Sequence, residues 1–142
     1  MSDTTTVLST ANVMAAVQAG IAVAVEMEKR FTIAVLDEGG NERLVVRMEG
    51  AILGSLQVAR DKAYTAVAFG RPTSGWFDVL ETDEPLGKGA RTGIDRLVTF
   101  GGGLPVRLDG RLIAGVGVSG AHYSDDERVA QAVVDHLTAV TA

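Results

Sequence analysis

The chain has 142 residues, of which 46% are hydrophobic, with a formal net charge of −5 and no cysteine. This length and composition predict one folded domain over residues 1–142 and argue against intrinsic disorder. The lack of cysteine excludes disulfides, thiolate metal sites and thiol nucleophiles, and the negative charge without a basic block argues against nucleic acid as a partner.

The N-terminal segment and the hydropathy pattern predict where the protein resides. No run of 18 apolar residues is free of polar or charged breaks, so no membrane span and no membrane partner are expected. The first six residues contain no basic region typical of a secretory signal. We therefore expect a cytoplasmic protein, unless a leader has been removed.

The first predicted element is a long helix. Ser9 or Thr10 can cap it, and its pattern continues to about Arg30. Its middle is apolar on all sides, which favours burial in a subunit interface as well as in the core. The helix therefore predicts a homo-oligomer.

A hairpin and a second helix follow. Two β-rich runs, Phe31–Asp37 and Arg43–Met48, flank a glycine-containing turn and predict an antiparallel pair. Ala51–Phe69 has apolar residues at helical spacing, and Gly70 follows it as a stop signal. Residues 73–96 are predicted to be irregular, with one or two short helical turns. Loops of that length in a compact domain are often functional.

The C-terminal part predicts three strands and a last helix. The strands are Val98–Phe100, Pro105–Leu108 and Arg111–Ser119, and an Asp-Gly turn joins the last two. The final helix is expected to begin with a capping box formed by Ser124 and Glu127. These elements predict an α+β fold, with an antiparallel sheet of about five strands flanked by helices.

The glycine-rich segment near the C-terminus resembles two known motifs, a dinucleotide-binding fingerprint and a nucleophile elbow, but fits neither. Its Gly115-x-Gly117-x-x-Gly120 pattern resembles a dinucleotide fingerprint, but a single helix uses up the rest of the chain, so no second parallel strand can follow. A nucleophile elbow needs one residue between serine and glycine, whereas Ser119 is followed directly by Gly120. The glycines are therefore expected to admit a close backbone neighbour, a bulge or a ligand.

Six sequence blocks occur in a fixed order along nearly the whole chain: Asp37-x-Gly39-Gly40; Arg47-Met48-Glu49-Gly50-Ala51; Ala59-x-x-Lys62-Ala63-x-Thr65-Ala66; Phe69-Gly70-Arg71-Pro72-Thr73; Gly101-Gly102-Gly103-Leu104-Pro105; and Gly115-Val116-Gly117-Val118-Ser119-Gly120-Ala121 with Asp126-Glu127. Together they resemble the GlcG/HbpS family, which includes haem-binding HbpS proteins and the C-terminal domain of PduO-type proteins. The resemblance implies an antiparallel sheet flanked by helices and a homo-oligomer. It also implies, for several members, a connection to haem, corrinoids or environmental sensing, but no single activity.

The chain departs from this family pattern at three places. The mildest is Glu49, which stands where an aspartate is usual after Arg-Met and keeps the negative charge. Gln57 and Arg60 stand where some haem- and iron-binding members carry paired carboxylates, so we expect no metal ligands there. The His122-Tyr123 pair is not part of the family pattern. It is expected to be an adaptation of this protein.

Three residues are candidates for catalysis. His122 can act as a general acid/base or as an axial ligand, or it is a solvated loop histidine. Lys62 can bind a carboxylate or act as a base if desolvated, or it is a surface lysine. Arg47 can clamp a carboxylate or form an ion pair with Glu49 or Asp37. The other histidine, in the last turns of the terminal helix, is expected to be structural.

The predicted ligand-binding residues are drawn from several blocks. Gly101, Gly102 and Gly103 can expose backbone N–H groups to an anion, or they form a flexible entry to a strand. Two aromatic residues can wall an apolar pocket, or they belong to the core. These two are Phe69 and Trp76. The family blocks add Thr65 and Pro105 as candidate ligand-binding residues.

Two functions follow from these residues and the resemblance. The first is a small-molecule-binding oligomer whose ligand is haem or a carboxylate-bearing apolar metabolite; the sequence does not identify the cofactor, and haem is one candidate. The alternative is a small cofactor-independent enzyme acting on an apolar acid or carbonyl compound. In that enzyme Lys62 and Arg47 bind the anion and His122 moves protons.

Overall fold

The fold is a four-stranded antiparallel sheet between helices, described for residues 3–140 by a computed structural model. The first two residues of the N-terminal segment discussed above lie outside the described part. The strands, numbered along the chain, are β1 (Thr32–Asp37), β2 (Glu42–Arg47), β3 (Gly103–Leu108) and β4 (Arg111–Ser119), in the spatial order β2-β1-β4-β3. The predicted α+β class is confirmed.

The predicted fifth strand, Val98–Phe100, is wrong. This segment has no strand hydrogen bonding, because the N–H of Val98 is donated to the hydroxyl of Thr65 rather than to a neighbouring strand, with an N–O distance of 3.0 Å. The segment is a loop that leads into the three consecutive glycines.

Residues 3–140 also form six helices: α1 (Thr4–Val7), α2 (Thr10–Glu26), α3 (Gly54–Phe69), α4 (Trp76–Thr82), α5 (Glu84–Gly93) and α6 (Tyr123–Thr138). Ser9 caps α2 by accepting the N–H of Asn12, as its position predicts. The helix ends four residues before Arg30, because Glu28 adopts a φ of 58° that a helix cannot contain. In the described part of the chain, no helix is long and apolar enough to cross a membrane.

The two faces of the sheet pack against different helices. On one face, α2 and α6 cover the side chains of Ile33, Val35, Val116 and Val118, which are fully buried. On the other face, α3 lies against the small residues of β1 and β4. This alternation follows from the two-residue period of a strand.

Glycines in β4 allow α3 to touch the sheet backbone. A Cβ atom on Gly117 would lie 2.0 Å from the carbonyl oxygen of Ala59, and one on Gly115 would lie 2.3 Å from that of Ala63. Both distances are far below van der Waals contact, so only glycine fits. The close backbone neighbour expected for this glycine pattern is confirmed.

The segment predicted to be irregular contains two helices that form a separate small cluster. Asp83 caps α5 by accepting the N–H of Leu86 at 3.1 Å. Trp76, Leu80 and Ala90 are the buried centre of this cluster. The α4–α5 unit therefore has its own core beside the main one.

Candidate functional site

Lys62 and Asp126 form an ion pair in the protein interior. The Lys62 Nζ lies 2.8 Å from Oδ2 of Asp126, and the two side chains are 0% and 3% exposed. Lys62 also donates to the carbonyl of Val118 at 2.9 Å, and Oδ1 of Asp126 accepts the N–H of Ala121 at 3.1 Å. The pair therefore joins α3, the end of β4 and the first turn of α6.

Burial shifts the proton equilibrium of both partners. Desolvation lowers the pKa of Lys62 and raises the pKa of Asp126, while the hydrogen bond and opposite charge of each partner oppose these shifts. The charged and neutral forms of the pair are therefore closer in free energy than they would be in water. Such a pair can supply a proton to a bound group or accept one.

Both residues are placed by helical periodicity. Lys62 lies between Ala59 and Ala63 on the part of α3 that packs on the sheet. Asp126 precedes Val129 and Val133 on the buried face of α6, three and seven residues earlier. In the sequence, Asp126 is singled out only as part of the last family block. Its spacing from the buried valines is the signal that could have identified it.

The glycine segment that leads into β3, Gly101–Gly103, packs against the ion pair through Gly102. Gly102 has a φ of 124°, and a Cβ there would lie 2.6 Å from the Lys62 Nζ. The carbonyl of Gly102 accepts the N–H of Val118 at 2.9 Å, and the N–H of Gly103 is donated to the hydroxyl of Thr73 at 2.8 Å. The N–H of Gly103 is thus engaged within the protein.

A cavity of about 350 Å³, which we call the aromatic cavity, opens beside these glycines. Three aromatic residues line it and keep a large part of their surface exposed: Phe77 at 57%, Phe100 at 47% and Tyr123 at 51%. The ring centre of Phe100 lies 5.0 Å from the Lys62 Nζ. Phe100 therefore contacts both the cavity and the buried ammonium. The other lining residues are Ser74, Gly75, Thr99 and Gly101.

Two other clefts are larger but offer less to an apolar ligand. One, of about 630 Å³, lies between α1 and the β1–β2 turn and is lined mainly by hydroxyl, carboxylate and amide groups. The other, of about 450 Å³, lies between α3 and residues 91–100. The aromatic cavity is the better candidate because it has exposed aromatic faces and one of them, Phe100, contacts the buried ionisable pair.

His122 caps α6. Its Nδ1 accepts the N–H of Ser124 at 3.2 Å and lies 2.8 Å from the Ser124 hydroxyl. The predicted capping box of Ser124 and Glu127 is therefore wrong, because the histidine ring, two residues earlier, supplies the cap. The ring of His122 also packs on that of Tyr123, tilted by 35° with centres 4.0 Å apart, and Tyr123 lines the aromatic cavity. His136 lies 14 residues further along the chain, about 20 Å away at a helical rise of 1.5 Å per residue.

Arg47 lies apart from the other predicted catalytic residues. It donates to the carbonyl of Ala51 at 3.2 Å, in the turn that leads to α3. Glu49, its predicted alternative partner, lies 3.6 Å from Arg30 instead. Arg47 and Gly103 belong to opposite edge strands, so three strand spacings of about 4.8 Å separate their strands. The structure does not bring Arg47 to the glycine segment.

Thr65 and Pro105 have positions that support the fold. The Thr65 hydroxyl donates to the carbonyl of Arg96 at 2.7 Å and accepts from Val98, so it fixes the loop before the glycines. Pro105 is a β3 residue paired with Gly115 of β4. Neither residue lines the aromatic cavity.

Phe69 and Trp76 meet edge to face, with ring centres 5.2 Å apart. Trp76 is only 5% exposed and packs within the α4–α5 unit, and the guanidinium of Arg71 lies 4.9 Å from its ring. Among the predicted ligand-binding residues, Gly101 is the one that lines the aromatic cavity. Sequence reasoning missed the exposed aromatic residues that form most of its wall.

The two positions without the family's carboxylates hold polar contacts on the surface of α3. Gln57 donates to Asp61 at 3.1 Å, and Arg60 lies 3.0 Å from Glu42. Within residues 3–140, the histidine and carboxylate side chains form no group of three that could hold a metal ion.

Comparison with known proteins relates this architecture to a family. A family model described as haem-degrading protein HbpS-like matches residues 8–135. An uncharacterised 15.0 kDa protein from the dhaT–dhaS intergenic region of Citrobacter freundii is 37% identical over 118 residues, which are 83% of each chain. A crystal structure of a PduOC–haem complex superimposes with a TM-score of 0.81 at 30% identity, over 88% of this chain and 91% of the other. A crystal structure of HbpS superimposes with a TM-score of 0.80 at 31% identity, over 89% of this chain and 87% of the other. The chain therefore belongs to the HbpS-like family, as its six sequence blocks predicted.

Proposed function

We propose that the protein binds a flat apolar small molecule carrying a carboxylate, with haem as the first candidate, in the aromatic cavity. The observation that carries this proposal is the grouping of Phe77, Phe100 and Tyr123, each about half exposed, around one cavity of about 350 Å³. Aromatic faces left uncovered around a concave site are typical of ligand pockets. The haem complex of PduOC and the family's description support haem as the ligand.

The residues at the cavity fit the chemistry of haem. The three aromatic side chains would pack against the porphyrin, and bound haem would supply a redox-active iron. His122 would hold the haem iron through Nε2. Its Nδ1 would then carry the proton, and this N–H can donate a hydrogen bond to the Ser124 hydroxyl, 2.8 Å away. Ligation would therefore exchange the cap that His122 gives to the N–H of Ser124 for a bond to the Ser124 side chain.

Lys62 offers a partner for the ligand's carboxylate. An ammonium has three N–H donors, and Asp126 and Val118 accept two of those of Lys62. The third donor is available on the side of Phe100, whose ring centre is 5.0 Å away. A carboxylate that displaced this ring would form a charge-assisted hydrogen bond with Lys62.

Haem titration of the purified protein tests the proposal. We expect a saturable Soret band, which His122→Ala shifts or abolishes while His136→Ala leaves it unchanged. Phe77→Ser should weaken binding because it removes one aromatic wall. Absorbance that rises with haem without saturating, or a spectrum that is the same in both histidine variants, would contradict haem ligation by His122.

We also propose that the chain assembles with itself through α2. The exposed side of this helix carries Ala11, Met14, Ala22 and Val25, interrupted by Gln18. Met14 is 50% and Val25 57% exposed, so the helix leaves an apolar stripe uncovered. Such a stripe is typical of an interface between subunits.

A further inference from the structure

The buried amine of Lys62 is separated from the aromatic cavity by one side chain. Lys62 is fully buried, and two of its three N–H groups are donated to Val118 and Asp126. The Phe100 ring lies near its Nζ, and the same ring lines the cavity and is 47% exposed. A rotation of Phe100 about its own side-chain bonds would therefore move the ring that contacts both the amine and the cavity.

We propose that Phe100 is a gate between the aromatic cavity and the Lys62 amine, and that Lys62 captures aldehydes or ketones entering the cavity as Schiff bases. This inference shares the cavity with the proposed function but requires neither haem nor a carboxylate ligand. It assigns covalent chemistry to a lysine that joins three elements of the fold in the ligand-free protein.

The surroundings of Lys62 suit this chemistry. A Schiff-base lysine must present a neutral amine, and desolvation lowers the pKa of Lys62 in that direction. The backbone of Gly102 packs directly against Nζ, since a Cβ there would lie only 2.6 Å away. The main-chain carbonyl of Val118 holds Nζ in place at 2.9 Å.

Asp126 is placed to carry every proton in the reaction. Its Oδ2, 2.8 Å from Nζ, takes one proton from the ammonium. The amine's electron pair then forms the C–N bond, and the carbonyl oxygen receives that proton from Asp126. The nitrogen, now positively charged, gives a proton back to Asp126, which passes it to the hydroxyl as water leaves. The products are a protonated Schiff base on Lys62, one water and the Asp126 carboxylate, so atoms and charge balance.

Reductive trapping tests the proposal on the ligand-free protein. The chain has three lysines, Lys29, Lys62 and Lys88, so an adduct can be assigned by peptide mass mapping. Propanal and cyanoborohydride at pH 7 should place a propyl group on Lys62 in the folded protein. Phe100→Ala should raise the rate of labelling at Lys62 by roughly tenfold, because one desolvated cation–π contact no longer has to be broken. The labelling rates at the exposed lysines should stay the same.

Two controls separate gating from unfolding. Leu53→Ala removes an exposed apolar side chain of similar size near the start of α3 and should leave labelling of Lys62 unchanged. Val133→Ala destabilises the core away from Phe100 and should not raise labelling of Lys62 under folding conditions. Labelling confined to Lys29, Lys88 and the N-terminal amine would overturn the proposal, and so would labelling of Lys62 that Phe100→Ala does not accelerate. Neither result would bear on haem binding, which the Soret titration measures separately.

Discussion

Removal of Lys62 should expose how much the fold depends on the buried ion pair. Lys62→Met keeps an unbranched side chain of similar length but leaves Asp126 buried, with the N–H of Ala121 as its remaining hydrogen-bond donor. Breaking one partner of a buried pair costs about 3–5 kcal/mol of unfolding free energy. For a chain of this length, that loss lowers Tm by about 10–15 °C.

The double variant Lys62→Met/Asp126→Leu provides the decisive comparison. Because it removes both charges, we expect it to recover a large part of the lost free energy, giving a coupling of about 2 kcal/mol or more in the double-mutant cycle. Urea unfolding followed by circular dichroism measures all four proteins. The reasoning would be refuted if the unfolding free energy of Lys62→Met lay within about 1 kcal/mol of the wild-type value. It would also be refuted if the losses in the two single variants added up to the loss in the double variant.

The pH dependence of Lys62→Met has a predicted sign. The ammonium opposes the burial-driven rise in the pKa of Asp126, so its loss lets that pKa rise further above the unfolded value. Folding then favours the protonated carboxyl, and the variant's stability is highest below about pH 4 and declines as the pH rises through the folded pKa. Urea unfolding between pH 4 and 8, compared with the wild type, measures this decline. A variant that gained stability over this range relative to the wild type would contradict the assignment.

Three further outcomes are expected. Met14→Glu should yield folded protein of lower mass by light scattering, whereas Val17→Glu, at a core position 1% exposed, should yield unfolded protein; an unchanged mass for Met14→Glu would rule out the α2 interface. Gly117→Ala should destabilise the protein strongly because its Cβ would lie 2.0 Å from a carbonyl oxygen, whereas Gly54→Ala, with open space around it, should be neutral or mildly stabilising in thermal unfolding. His122→Asn should retain the cap and keep the free energy of unfolding within about 1 kcal/mol of the wild type, yet lose the haem spectrum expected of histidine ligation.

Local patterns predicted the parts of the fold whose cause is local. The β1–β2 hairpin follows from a glycine turn between two β-rich runs, and the end of α3 follows from Gly70 after an apolar helical repeat. The two helices of the α4–α5 unit were underestimated, although Asp83 and Pro85 form a cap and a first-turn proline that mark the second helix.

The errors came from contacts between residues far apart in sequence. Val98–Phe100 has the composition of a strand, yet Thr65, 33 residues earlier, takes its backbone donor. The capping box failed because a histidine ring, whose capping role is uncommon, supplied the acceptor two residues before Ser124. Asp126 gained its role from Lys62, 64 residues away, and a single helix pattern cannot show which charge another helix will present.

The α4–α5 unit has a consequence for how this protein can diversify. Its apolar centre is separate from the main core, and a threonine hydroxyl holds the chain on each side of it. Thr73, just before α4, accepts the N–H of Gly103, and Thr65 of α3 donates to the carbonyl of Arg96, just after α5. One wall of the aromatic cavity, including Phe77, belongs to this unit. The unit can therefore be exchanged as a module, by evolution or by design, to alter which ligand fits while the sheet and the Lys62–Asp126 pair stay as they are.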